Sequence, residues 1–274
     1  MEANASIFQP TQKVGADRLL QWSAKTWLSI AILGQLIFAI YVMAYYGGAV
    51  IRGDMDAWNQ VFPRGYIAGD WRGNLWVVLH IGVAFLISLS GLLQLIPNIR
   101  AKAPRFHRWN GRLFIAAVLS ASTSGLAMLL DRGAVGGLIQ HIGLSLDAML
   151  IIVFALLSLR YALARDFLRH RRWAMRLVMV VSGVWFFRIG LMLWIILNQG
   201  PAGFNPKTFE GPFLYFLSFA NYLIPLAVLE IYLYAKASNS TFAKASMGIG
   251  LMILNVAMLA GIAAATMFMW LPRL

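Results

Sequence analysis

Long apolar runs alternate along the chain with short connectors that are polar and mostly basic. Seven runs stand out, near Trp27–Tyr46, Leu75–Pro97, Leu113–Leu130, Leu138–Leu163, Trp173–Leu197, Pro212–Ala235 and Ala245–Leu271. Each is close to the ~20 residues that a helix needs to cross a ~30 Å hydrocarbon layer. None shows the strict apolar–polar alternation of a barrel strand, and unpaired backbone in lipid is prohibitively costly, so helix is predicted throughout. The pattern predicts an all-α fold, a polytopic membrane bundle of seven transmembrane helices. Residues 1–25 are predicted as a polar tail without the apolar core of a signal peptide, and 26–274 as one transmembrane domain without internal repeats.

Composition agrees with that pattern. Of 274 residues, 60% are apolar and only 12% charged; soluble domains average ~45–50% and ~25%. An ordinary soluble enzyme and a disordered chain are thereby excluded. The absence of cysteine excludes disulfides, thiolate-bound metals and cysteine nucleophiles. No Walker loop, strand-borne GxGxxG, HExxH or GxSxG appears.

The net charge of +13 reads as membrane orientation, not nucleic-acid binding, because the cations cluster between spans. The N-terminal tail and the connectors after spans 2, 4 and 6 carry 16 Lys and Arg, including Lys25, Arg100, Arg105, Arg108, Arg112, Arg171, Arg172, Arg176, Lys236 and Lys244. The other side carries Arg52, Arg64, Arg72, Arg132, Lys207 and Arg273, and Arg188 lies within a span. The asymmetry predicts a cytoplasmic N-terminus and an outer C-terminus. The connector Gly47–Asn74, with Trp58, Phe62, Pro63, Tyr66 and Trp71, is expected to fold back onto the outer surface or to cap a site.

Only four histidines occur, one each on spans 2 to 5. With the predicted topology, His80 and His141 lie near the outer face, and His107 and His170 near the inner one. Two facing imidazoles at each face are what a six-coordinate haem b requires, and two such haems would carry electrons across the bilayer. Arg108, Arg112, Arg172 and Arg188, with Arg105 and Arg171, are candidate propionate ligands by forked hydrogen bonds. Small residues at Gly82, Gly91, Ser120–Gly125, Gly143 and Gly183 would allow a porphyrin to approach, although they also pack membrane helices unaided. The competing reading makes the histidines and arginines ordinary interfacial residues whose side chains reach the headgroups.

Asp147, Arg188 and Glu230 fall inside spans, where an unpaired charge costs ~2.5–3.5 kcal/mol or more. Asp147 and Arg188 both lie ~13 Å below the outer face at ~1.5 Å per residue, which predicts an ion pair. Arg176 and Glu230 match at shallow depth near the inner face and are expected to pair as well. Pro225 is expected to kink span 6, leaving a carbonyl near Asn221 to line a polar cavity.

The segments "LHIGVAFLISLSGLLQLIPNIRAKAPRFHRWNGRLF" and "RHRRWAMRLVMVVSGVWFFR" resemble the DUF2306 family of bacterial membrane proteins. That pattern maps onto His80, Gln94, Arg100, His107, Arg108, Gly111, Arg112, His170, Arg171, Arg172, Trp173, Arg176 and Arg188, with Ala174 where the family usually has methionine. The resemblance covers spans 2 to 5, about 110 residues, and implies a membrane fold without an assigned activity. The order of the four histidines is also similar to the cytochrome b561 family, whose four-helix core holds two bis-histidine haems. Over 75–197 this similarity implies pairing of His80 with His141 and of His107 with His170. The loop motifs of that family are missing, and the DUF2306 pattern does not run through His141, so the outer pair is the weaker one.

Two functions follow as expectations. One is a di-haem electron carrier serving a quinone or redox partner protein. The other is a binder or carrier of a small molecule or lipid, or a non-catalytic membrane subunit, using Asp147, Arg188 and Glu230.

Overall fold

The computed structural model describes residues 5–62, 64–133 and 135–274, with side chains from residue 14 onward. Part of the predicted tail, residues 1–4 and the Lys13 side chain, lies outside the described residues, as does Pro63. The chain is an all-α membrane bundle. In order its helices are α1 (Ala5–Val42), α2 (Gly48–Arg52), α3 (Trp71–Leu93), α4 (Pro97–Lys102) and α5 (Pro104–Arg132). There follow α6 (Leu138–Leu163), α7 (Phe167–Val181), α8 (Gly183–Leu197), α9 (Pro212–Ala237) and α10 (Thr241–Ala265). Proline opens α4, α5 and α9, where its missing N–H leaves no intrahelical bond unmade.

Among the described residues, six helices are long and apolar enough to cross a membrane. The seventh expected span, Trp173–Leu197, is not one straight helix. It is the pair α7 and α8, bent by 47° at Ser182. A Ser–Gly pair is a recognised cause of such a kink. Gln35 of α1 donates its Nε2 to Ser182 Oγ at 3.2 Å there.

Residues 14–26, before Trp27, are already helical and pack on α10. Lys244 Nζ reaches Asp17 at 2.6 Å, Ser23 Oγ donates to Gly248 O at 2.9 Å, and Asn255 Nδ2 donates to Ser23 O at 3.0 Å. A methyl group at Gly248 would stand 2.8 Å from Leu19 Cγ, so glycine sets how closely α1 and α10 approach. At the opposite end both helices pass through a π-helical turn, Met43–Gly47 and Thr266–Trp270, and Trp270 is buried against Phe38 and Tyr41.

The connector after α2 folds back, as expected. Trp58 is buried and donates Nε1 to Tyr46 O at 3.2 Å, whereas Trp71 stays exposed. A clamp that the sequence did not reveal closes the fold there. Arg132, at the end of α5, donates to the Arg64 and Gly65 carbonyls, to Asn74 Oδ1 at 2.9 Å and to Asp70 Oδ2 at 2.5 Å. Asp70 also caps α3 through Gly73 N–H. That backbone donor and the Arg132 guanidinium hold the Asp70 carboxyl below the usual carboxylate range.

A depressed folded-state value means that the link is present above the ordinary value of about 3.9 and is lost as pH falls through the folded value. The protection factors of the amides over residues 64–74, taken against the unprotected rate at each pH, are therefore expected to be high at neutral pH and to fall in acid below that range. Arg132→Ala should remove the protection at every pH. Unchanged exchange in that variant would show that the clamp does not hold the connector.

Candidate ligand-binding cleft

The antiparallel course of the helices brings one set of ends together: the start of α5 and α7, the end of α3, α6 and α9, and α4 between α3 and α5. Short connectors force this, since Ala103 alone separates α4 from α5, and only residues 164–166 separate α6 from α7. The basic clusters of the sequence therefore converge at one end of the bundle.

A cleft of about 1490 Å³ opens at that basic end and runs between α1 and α4 to α10. Six cations line it: Lys25, Arg100, Arg108, Arg112, Arg171 and Lys236. No Asp or Glu is among its lining residues. His107 and His170 stand in the same wall, and deeper in the cleft the surface is apolar, with Leu28, Ile115, Leu217, Val228, Leu251 and Met258.

The polar groups of the cleft are unevenly satisfied. His170 Nδ1 lies 2.9 Å from the Ser158 carbonyl, a contact that needs the Nδ1–H tautomer and leaves Nε2 as the acceptor. His107 Nδ1 and Gln94 Nε2 are buried without a partner among the described residues. Buried polar nitrogens are ordinarily bonded, so an orphaned pair at a cleft marks where a ligand oxygen or water would be accepted. Gln94 is held over α5 by a glycine, because a methyl group at Gly111 would stand 3.3 Å from its Oε1.

The structure brings together only part of the expected site. His107, His170, Arg108, Arg112 and Arg171 share the cleft, whereas Arg105, Arg172 and Arg188 do not line it. The outer histidines are not brought to one cavity. His80 Nδ1 lies 3.0 Å from the Ala121 carbonyl of α5, and its ring fills the space above Gly125. His141 lines a shallow groove with Leu129, Ile142 and Ser145 that does not include His80. Two of the small residues expected to admit a porphyrin serve helix packing: a methyl at Gly91 would meet Phe114, and one at Gly143 would meet the Ser218 carbonyl at 2.9 Å, whereas Gly82 has open space around it.

Of the two expected ion pairs, one forms. Arg176 grips Glu230 in a fork, Nε to Oε1 at 2.6 Å and the second nitrogen to Oε2 at 2.9 Å, tying α7 to α9. The pair between Asp147 and Arg188 does not form. Asp147 Oδ2 lies beside Gly183 at the start of α8, and Arg188 comes five residues later, about 140° around the helix. Equal depth fixed the height of the two groups but not the face. Arg188 bonds its own helix at Val184 O and lies over the Phe38 ring at 5.3 Å. Pro225 lies within a continuous α9, and both Asn221 and Pro225 line the cleft.

Residues 77–210 match DUF2306, a family described as predicted membrane proteins. No curated protein and no solved structure matches the chain. The DUF2306 segment contains the histidines, Arg100, Arg108, Arg112 and Arg171 of the cleft mouth. Its α1, α9 and α10 walls lie outside the matched residues, so most of the cations and much of the apolar side of the cleft come from different parts of the chain.

Proposed function

We propose that the protein binds an anionic amphiphile, a lipid or lipid-like molecule, with its charged head at the basic mouth and its tail along the apolar wall. The observation that carries this reading is the lining itself: six cations, no carboxylate, and the orphaned nitrogens of His107 and Gln94 above an apolar interior. Arginine forks suit phosphate and carboxylate oxygens. The volume exceeds the ~300–1,000 Å³ of ordinary small-molecule pockets and suits a ligand of lipid size.

Titration of the purified protein in nanodiscs with a fluorescent alkyl phosphate, against the alkyl alcohol of equal tail, tests the reading. Preference for the phosphate is expected, and equal affinity for both would overturn it. The charge asymmetry further supports a cytoplasmic basic end, with the N-terminus inside and the C-terminus outside a bacterial inner membrane. A C-terminal alkaline phosphatase fusion should then be active, and an inactive fusion with an active cytoplasmic reporter would reverse the orientation.

A second reading attaches to the same mouth. His107 and His170 line one cleft, His170 has its Nδ1 fixed by Ser158, and Arg108, Arg112 and Arg171 stand nearby. These residues suit one haem b, which would supply one-electron chemistry when bound, as in an electron carrier serving a quinone or redox protein. An absorption spectrum of protein from haem-sufficient cells decides it: a Soret band that shifts on dithionite reduction supports this reading, and no such band sinks it.

A further inference from the structure

The deepest polar cluster lies away from the basic mouth, at the break between α7 and α8. Asp147 of α6 is only 6% exposed, and its Oδ1 has no partner among the described residues. Facing it across the break is Asn221 of α9. Asn221 Nδ2 donates to Leu217 O at 2.8 Å and to Ser218 O at 2.9 Å, so the amide cannot flip without setting oxygen against two carbonyls. Its Oδ1 is thereby aimed at Gly183. A methyl group on Gly183 would stand 2.6 Å from Asn221 Oδ1 and 2.9 Å from Asp147 Oδ2. Two acceptor oxygens thus converge on the first residue of α8.

Acceptors so placed repel each other unless something positive lies between, and burial in lipid raises that penalty. No fixed cation supplies it. Arg188 turns toward Phe38, Arg176 is held by Glu230, and the charged side chains of α5 are confined to residues 105–112 and 131–132. Tyr222 of α9 is an ionisable side chain near this cluster, its Cβ 3.4 Å from a methyl group built on Gly183. We infer that the Asp147 carboxyl and Asn221 Oδ1 hold a shared proton across Gly183, a proton-binding site at the hinge of the broken span. The proton sits on the carboxyl, donates to the amide oxygen, and leaves when the two helices part. Breaks in discontinuous transmembrane helices recurrently build coupling-ion sites. Asn221 also lines the cleft, so the site adjoins the ligand space, but it depends on no particular occupant of it.

Infrared spectra of the full-length protein in nanodiscs, recorded across a pH series, test the inference through the carbonyl stretch of a protonated carboxylic acid. The wild type is expected to show one such band from a buried acid, lost in Asp147→Asn and shifted in Asn221→Leu and Gly183→Ala, which keep the acid but disturb its partner. Should Asp147→Asn fail to fold, the shifts in the other two variants carry the test. A band unchanged in all folded variants would overturn the inference. So would a wild-type band abolished by sodium at fixed pH, which would assign the site to a metal cation.

Discussion

Replacing Arg108 and Arg171 together by alanine is expected to weaken binding of an anionic amphiphile by roughly 10²-fold, at about 1.5–3 kcal/mol for each charge-assisted hydrogen bond. The lower end applies because both side chains are exposed at the cleft mouth, where solvent screens them. Affinity for an uncharged amphiphile of the same tail should hardly change, because the apolar wall from Leu28 to Met258 is untouched. Thermal stability should also hold, since neither arginine forms an ion pair among the described residues. Parallel titrations of wild type and variant with the alkyl phosphate and the alkyl alcohol separate these outcomes. Equal losses for both ligands would mean that the arginines shape the cleft without binding the headgroup.

Arg188→Met is expected to raise stability, by about 0.5–1.5 kcal/mol. A cation within a span costs ~2.5–3.5 kcal/mol when unpaired. Arg188 offsets that through Val184 O, a carbonyl its own helix already engages, and through the Phe38 ring, contacts worth about 1.5 and about 0.5 kcal/mol at the low end of their ranges. Methionine keeps much of the length and apolar surface while removing the charge. Unfolding midpoints in one detergent measure the difference. A destabilised variant would show that Arg188 is compensated by something other than these two contacts, and would make it a partner in a buried network.

The spans were legible because each apolar run is long and the connectors are rich in arginine and lysine. The break at Ser182 was not, because serine and glycine are common within continuous membrane helices, and no proline marks the site. Depth arithmetic found Arg176 and Glu230, which lie near a membrane face where long side chains can reach each other. It failed for Asp147 and Arg188, because residues at one height can project from opposite faces of a helix. Arg132 looked like one of six cations on the sparse side, and only the folded connector shows it gripping Asp70, Asn74 and two carbonyls.

The cleft was half legible. The segments 98–112 and 167–176 contain many cations and no acid, a bias that membrane orientation alone accounted for. That these segments face one apolar space built by α1, α9 and α10 follows from the packing, and no local pattern announced it. The histidines divide in the same way: His107 and His170 meet at the cleft, while His80 and His141 belong to different surroundings.

Mass spectrometry of what the full-length protein carries through mild detergent purification probes the cleft most directly. An anionic amphiphile retained at about one per chain in the wild type, and depleted in the variant lacking Arg108 and Arg171, is the result predicted here. Identical, bulk-like mixtures of neutral and charged lipids from both proteins would contradict a headgroup site at the basic mouth.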